Sequence, residues 1–172
     1  MSNDPFSTPK PISSAFASAQ SFKGRLVLIA PTKYENDVPN QVDPSKSADR
    51  LTATVTVVDG QGPVEIFSNF AATGKFLEGP EHKGVWFGQG RIVQAVAPER
   101  RFQPGSMVLA RIDTYRKDKG AGPGNPWGLS DPTESDKQLA RDFLANRTVA
   151  AATSPAPVAD DNPFAPKGEA PF

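Results

Sequence analysis

Apolar and polar residues alternate along 51–58, with Leu51, Ala53, Val55 and Val57 on one side and Thr52, Thr54 and Thr56 on the other. A period of two marks a strand with one buried face. Four more runs of strand formers accompany it. Residues 25–30 lie between Gly24 and Pro31, and 64–70 follow the Asp59-Gly60 turn closely enough to act as a hairpin partner. Residues 85–97 read as one long strand, bulged or sharply bent at Gly88 and Gly90, and 107–115 follow the Pro104-Gly105 turn. One helix is predicted over 132–146. Asp131 can cap its free amides, Pro132 suits the first helical position, and Glu134 stands three residues after Asp131. Leu139, Phe143 and Leu144 supply its apolar stripe, leaving Asp136, Lys137, Arg141 and Asp142 on the wet side.

Five strands, one appended helix and long loops at 31–50 and 116–130 predict a mainly β fold. The architecture they suit is a five-stranded barrel of the oligonucleotide-binding type, with other small sandwiches or barrels as alternatives. Proline sets the limits of the domain. Residues 1–22 and 148–172 hold eight of the 18 prolines amid Ser and Ala, which predicts disordered N- and C-terminal arms around one domain at 23–147. The longest apolar run, 26–30, falls far short of the roughly 20 residues a membrane span needs, so a cytoplasmic protein is expected.

The absence of cysteine excludes disulfides and thiolate metal sites, and the single His82 excludes histidine clusters. His82, between Glu81 and Lys83, reads as plain surface. A serine triad would have only His82 as its base, and no phosphate-binding GxxxxGK[ST] loop occurs. The residues 88–90 open like a dinucleotide fingerprint, but Val93 stands where its third glycine belongs. The expectation is a binding protein with no enzyme activity, cofactor or metal.

Charge sharpens that expectation. The 19 basic and 19 acidic residues cancel, which argues against nucleic acid only if they are evenly spread. They are not: 98–120 holds six bases against three acids, and 148–172 holds three acids against Lys167. A groove that binds single strands needs cations along the backbone and aromatic faces for the bases. Alternation places Phe87 and Arg91 on one side of the fourth predicted strand, and Arg111 and Tyr115 on one side of the fifth. Arg100, Arg101, Arg116, Lys117, Lys119 and Trp127 extend that surface through the basic segment and its glycine-rich loop, and Lys33 and Tyr34 add to it from the first long loop. The six aromatics Phe67, Phe70, Phe76, Trp86, Phe87 and Phe102 divide between core and base stacking.

The C-terminus carries the most specific signal. Asp160 and Asp161 precede Asn162-Pro163-Phe164, and Glu169 precedes the final Ala170-Pro171-Phe172. An acidic linker ending in Pro-Phe resembles the tail tip of bacterial single-stranded DNA-binding proteins and of analogous phage replication proteins. The residues 125–134 leading into the helix look like a phage-encoded protein of actinobacterial hosts. The resemblance implies an oligonucleotide-binding barrel that coats single-stranded DNA during replication, recombination or repair. It also implies a tail, through Asp160, Asp161, Pro171 and Phe172, that recruits partner enzymes. Two departures stand out: the acids are few and split by Lys167, and Ala170 precedes the Pro-Phe where an acid is usual. Folding of this tail over an unoccupied basic groove would screen it until DNA displaced it. The competing reading is a phage structural or assembly barrel without a nucleic-acid role, and a third is a strand-annealing mediator.

Overall fold

The computed structural model describes residues 17–39, 43–68, 70–116, 118 and 125–153, with the backbone alone over 149–153. The fold is mainly β, and its strand ladders are antiparallel. Among the described residues seven strands occur where five were expected: β1 (Leu26–Pro39), β2 (Ser47–Val57), β3 (Val64–Ser68), β4 (Ala71–Leu77), β5 (Glu81–Phe87), β6 (Val108–Thr114) and β7 (Trp127–Ser130). Two helices accompany them, α1 (Gly90–Val96) and α2 (Glu134–Thr153). Five strands form one sheet in the order β5-β2-β1-β6-β7, while β3 and β4 pair only with each other. No hydrogen-bonded ladder joins the edge strands β5 and β7, so the sheet is not a closed barrel among the described residues.

β1 organises this sheet. Its first four residues pair with β6, and most of its length pairs with β2. Irregularities between Pro31 and Lys33 and between Glu35 and Val38 interrupt that second ladder, as bulges do where a strand must bend. Much of the segment 31–50, expected as loop, is therefore paired strand.

The alternation of β2 survives in three dimensions, with Leu51, Ala53, Val55 and Val57 on the inner face beside Val27 and Ile29 of β1. α1 covers this face with Ile92, Val93, Val96 and Ala97, and the β3-β4 hairpin adds Val64, Ile66 and Leu77. The expected strand at 85–97 is thus a strand followed by a helix. The 92, 93, 96, 97 spacing of its apolar residues is helical, and the Gly88-Gln89-Gly90 segment separates the two periodicities. The expected partnership of 64–70 with β2 is also replaced, because 71–77 intervenes and pairs with it. Residues 17–22, expected within the N-terminal arm, form a 3-10 turn at Ala19–Phe22 that buries Ala17, Ala19 and Phe22. The arm assignments at 1–16 and 154–172 lie outside the described residues; the helix itself runs to Thr153, past the expected boundary at 148.

α2 lies on the outer face. Its capping box sits two residues later than expected: Thr133 Oγ1 accepts from the Asp136 amide at 3.1 Å, and Asp136 Oδ2 accepts from the Thr133 amide at 3.0 Å. The shift turns Asp136 inward and Leu139 and Leu144 outward. Ala140 and Phe143 then join Leu26, Leu28, Val58 and Leu109 in a second apolar cluster. Arg111 binds Asp136 through two nitrogens and donates to the Gly24 carbonyl at 2.9 Å. Hydrogen bonds from Arg111 and the capping box hold the Asp136 carboxyl down to about 2. At its far end Arg147 pairs with Glu81 of β5. The helix therefore spans the outer face from β6 to β5.

His82 is buried, with only 2% of its surface exposed, against the Phe22 ring at 5.8 Å. Strict alternation from Val85 and Phe87 would turn Lys83 inward; the bulge between the pairs Ala53 with Val85 and Val55 with His82 shifts the register and turns His82 in instead. Its Nε2 has no hydrogen-bond partner among the described residues. Burial lowers its proton affinity from the ordinary 6.5, the Arg25 charge adds to this, and Glu81 opposes it. The unfolded chain then binds more protons than the folded one below about pH 6.5, so stability is full above that value and declines as pH falls. The melting temperature should drop between pH 7 and 5, and His82→Leu should flatten that part of the profile; an unchanged slope in the variant would remove His82 as its cause.

Candidate nucleic-acid interface

α2 packs over only part of the outer face, on Leu26, Leu28, Val58 and Leu109. Register places Glu81, Thr56, Leu28 and Leu109 in one row across β5, β2, β1 and β6, beneath the helix. Further along the strands, Trp86, Thr52 and Lys33 form a second row, and Arg50 pairs with Glu35 in a third. These two rows lack an apolar cover. Trp86 is 40% exposed, and the Arg50 guanidinium lies 4.5 Å from the centre of its ring. Cation and ring are thus already stacked.

Glu35 holds both cations of this face. Arg50 reaches its carboxylate at 2.9 Å and Lys33 at 3.0 Å. Hydrogen bonds from Lys33 and then Arg50 keep the Glu35 carboxyl below the ordinary carboxylate range. The three side chains carry a net charge of +1, with both cations held by the one carboxylate.

A second constellation surrounds the start of α1. Arg91 stacks on Tyr115 with its guanidinium 3.6 Å from the ring centre, and the tyrosine is 61% exposed just beyond β6. The base of the β6-β7 connection is fastened by Asn125, which accepts from the Arg116 amide at 3.0 Å and donates to the Arg116 carbonyl at 2.6 Å. Arg116 itself pairs with Asp118 at 3.4 Å. Nearby in sequence, Arg100 pairs with Asp49 at 3.3 Å, and Asp49 also accepts the Tyr34 hydroxyl. Burial and the Asp49 carboxylate raise the Tyr34 phenol above its usual range. Arg101 is exposed.

The candidates from sequence therefore divide. Lys33 stands beside the Trp86 face, Arg91 joins Tyr115, and Arg100 joins Tyr34. Arg101 and Arg116 are solvent-facing cations. Three others are corrected. Phe87 is fully buried opposite Leu51, Trp127 is only 5% exposed in the main core, and Arg111 is bound to α2 and Gly24. The first two have no free ring face, because inward alternation and the β7 pairing enclose them; Arg111 has its charge compensated by Asp136. Lys117, Lys119, Asp160, Asp161, Pro171 and Phe172 lie outside the described residues.

Arg50, Glu35 and Asp49 were not singled out, and Trp86 appeared only among six aromatics. The outward threonines of β2 lie on the same face as Trp86 and Arg50. Pairing across the inserted β3-β4 hairpin, which brings Trp86 to Thr52, was the missing information. Among the described residues, no group of three or more His, Asp or Glu side chains could hold a metal, and no helix is long and apolar enough to cross a membrane. Comparison with family models, curated proteins and solved structures found no match.

The two tryptophans give a direct test of this geometry. Trp127→Phe should leave fluorescence that acrylamide quenches readily, from Trp86, whereas Trp86→Phe should leave shielded, blue-shifted emission. Equal quenching in the two variants would contradict the assignment of faces.

Proposed function

We propose that this protein binds single-stranded DNA without strong sequence preference, on the outer face of β2 and β5. The observation that carries the reading is the exposed Trp86 ring stacked on Arg50, flanked by Lys33 on a face that α2 leaves open. Single-strand binders combine aromatic platforms with a cationic track, and a stacked base contributes about 1–3 kcal/mol. Support also comes from the chain order. A central first strand between the second and the sixth, with α1 preceding β6, suits an oligonucleotide-binding barrel whose insertion is the β3-β4 hairpin. Such barrels bind on the face of the second and third barrel strands and on two flanking loops. Here those strands are β2 and β5, and the loops are the β1-β2 and β6-β7 connections, the latter beginning at Tyr115.

In this reading a base stacks on Trp86 while phosphates take Arg50 and Lys33 from Glu35. Arg91 with Tyr115 extends the track toward the second loop. Recruitment of replication or recombination enzymes by Asp160, Asp161, Pro171 and Phe172 belongs to the same proposal and rests on the tail resemblance alone. A host cytoplasm, and a phage origin, rest there too.

Titration with oligo-dT should quench the Trp86 emission, with log affinity falling linearly in log salt. Trp86→Ala should weaken binding by about 1–3 kcal/mol. Glu35→Gln should tighten it at low salt, since the competing anion is gone. Absence of quenching and of any salt-dependent binding would favour the assembly reading instead.

A further inference from the structure

The inner face opens into a cleft at the end where β1 and β2 leave the core. Tyr34, Ala48 and Asp49 line one wall, and Gly88, Gly90, Gln94, Glu99 and Arg100 are among the residues of the other. Its volume of about 440 Å³ falls within the roughly 300–1,000 Å³ of small-molecule sites. A Cβ built on Gly88 or Gly90 meets nothing within 4 Å, so that wall stands open.

Backbone strain gathers around this cleft. Four non-glycine residues among those described have positive φ; two of them, Glu99 at 55° and Arg100 at 62°, line the cleft, and a third, Asp37 at 51°, lies behind it. Asp37 donates its amide to Asp49 Oδ1 at 3.3 Å. Such conformations cost of order 1–3 kcal/mol each and persist where surrounding structure holds them, often at ligand sites.

The hydrogen-bond inventory defines what fits. Asp49 Oδ1 accepts from Asp37 and Oδ2 from the Tyr34 hydroxyl, leaving about two of the four lone-pair positions of a carboxylate, one on each oxygen. Arg100 contacts Oδ2 through Nε at 3.3 Å. Its two terminal nitrogens make no hydrogen bond among the described residues. The wall thus presents one open acceptor position on Oδ1 and one on Oδ2 that Arg100 Nε contacts without a hydrogen bond, beside the unoccupied terminal donors of Arg100. Among the four DNA bases only guanine offers two adjacent N–H donors, N1–H and the N2 amine, next to an acceptor, O6. Cytosine and adenine offer one amine, and thymine a single imide N–H.

We propose that this cleft is a guanine-selective subsite, in which Asp49 reads N1–H and N2–H of an unstacked base and Arg100 donates to O6. The proposal rests on the strand-binding reading and adds one selective position to an otherwise tolerant track. Tyr34 acts as a positioning residue, holding the carboxylate through its hydroxyl. Gln94 and Glu99 are the other polar groups facing the cleft.

The test compares three oligomers on the full chain at one salt concentration: all-dT, dT with one central dG, and dT with one central deoxyinosine, which keeps O6 and N1–H but lacks the N2 amine. The dG oligomer should bind about tenfold more tightly than all-dT, the scale of a bidentate base contact, and inosine should lose most of that gain. Asp49→Asn, of nearly unchanged shape, should bring the ratio of dG to dT affinity to one, a ratio in which any change of shared affinity from the released Arg100 cancels; melting curves would establish that it folds. Gln94→Trp, which fills the cleft from α1 without altering Asp49, should do the same. Equal affinity for dG and dT, inosine equal to dG, or a preference that survives Asp49→Asn would overturn the subsite. Failure of all three oligomers to bind would overturn the strand-binding reading itself, and the subsite with it.

Discussion

The four consecutive buried residues Leu26, Val27, Leu28 and Ile29 require cover on both faces of the sheet, and the rest of the architecture answers that requirement. A strand with one apolar face needs one partner layer; a continuous apolar run needs two. Val27 and Ile29 meet the main core under α1 and the β3-β4 hairpin. Leu26 and Leu28 meet α2. Beyond Ile29 the outward positions shrink to half-buried Ala30 and then become charged at Lys33 and Glu35, so α2 has no further large apolar side chain to cover. The open part of the outer face is therefore set by where the double burial of β1 stops.

Charge is partitioned by the same boundary. Under or beside α2, Arg111 with Asp136 and Arg147 with Glu81 are structural pairs that fix the helix across the sheet. On the open part, Glu35 faces two cations, and Arg50 has an aromatic ring beneath it. The overall balance of 19 bases and 19 acids hides this division. A basic excess within 98–120 pointed toward β6, whereas the stacked cation and ring of the open face came from β2 and β5.

Much of the sheet was legible where one face is buried and the other polar. β2 declared its two faces through Leu51 to Val57, and the strand ending near Tyr115 was placed within a residue or so. Legibility failed where two periods met at Gly88-Gln89-Gly90, because paired glycines suit a bulge within a strand as well as a boundary between elements. Val85 and Phe87 alternate, Ile92, Val93, Val96 and Ala97 repeat helically, and β-branched residues in both made one long strand look sufficient. The α2 cap failed for a different reason: Asp131 with Glu134 and Thr133 with Asp136 both offer capping chemistry, and only the salt bridge to Arg111 decides between them. His82 was hidden by its charged neighbours, since alternation turns Glu81 and Lys83 outward while it turns inward. Site residues were harder still, because Arg50 and Trp86 lie 36 residues apart with a whole hairpin between them.

In the proposed function, strand binding belongs to the face that α2 leaves open. Backbone amide shifts mapped by NMR during titration with a short oligo-dT test it most directly. The largest changes are expected at Lys33, Glu35, Arg50, Thr52 and Trp86, with little change along α2. Shifts concentrated on α2 or on the β3-β4 hairpin, or no shifts at all, would contradict it.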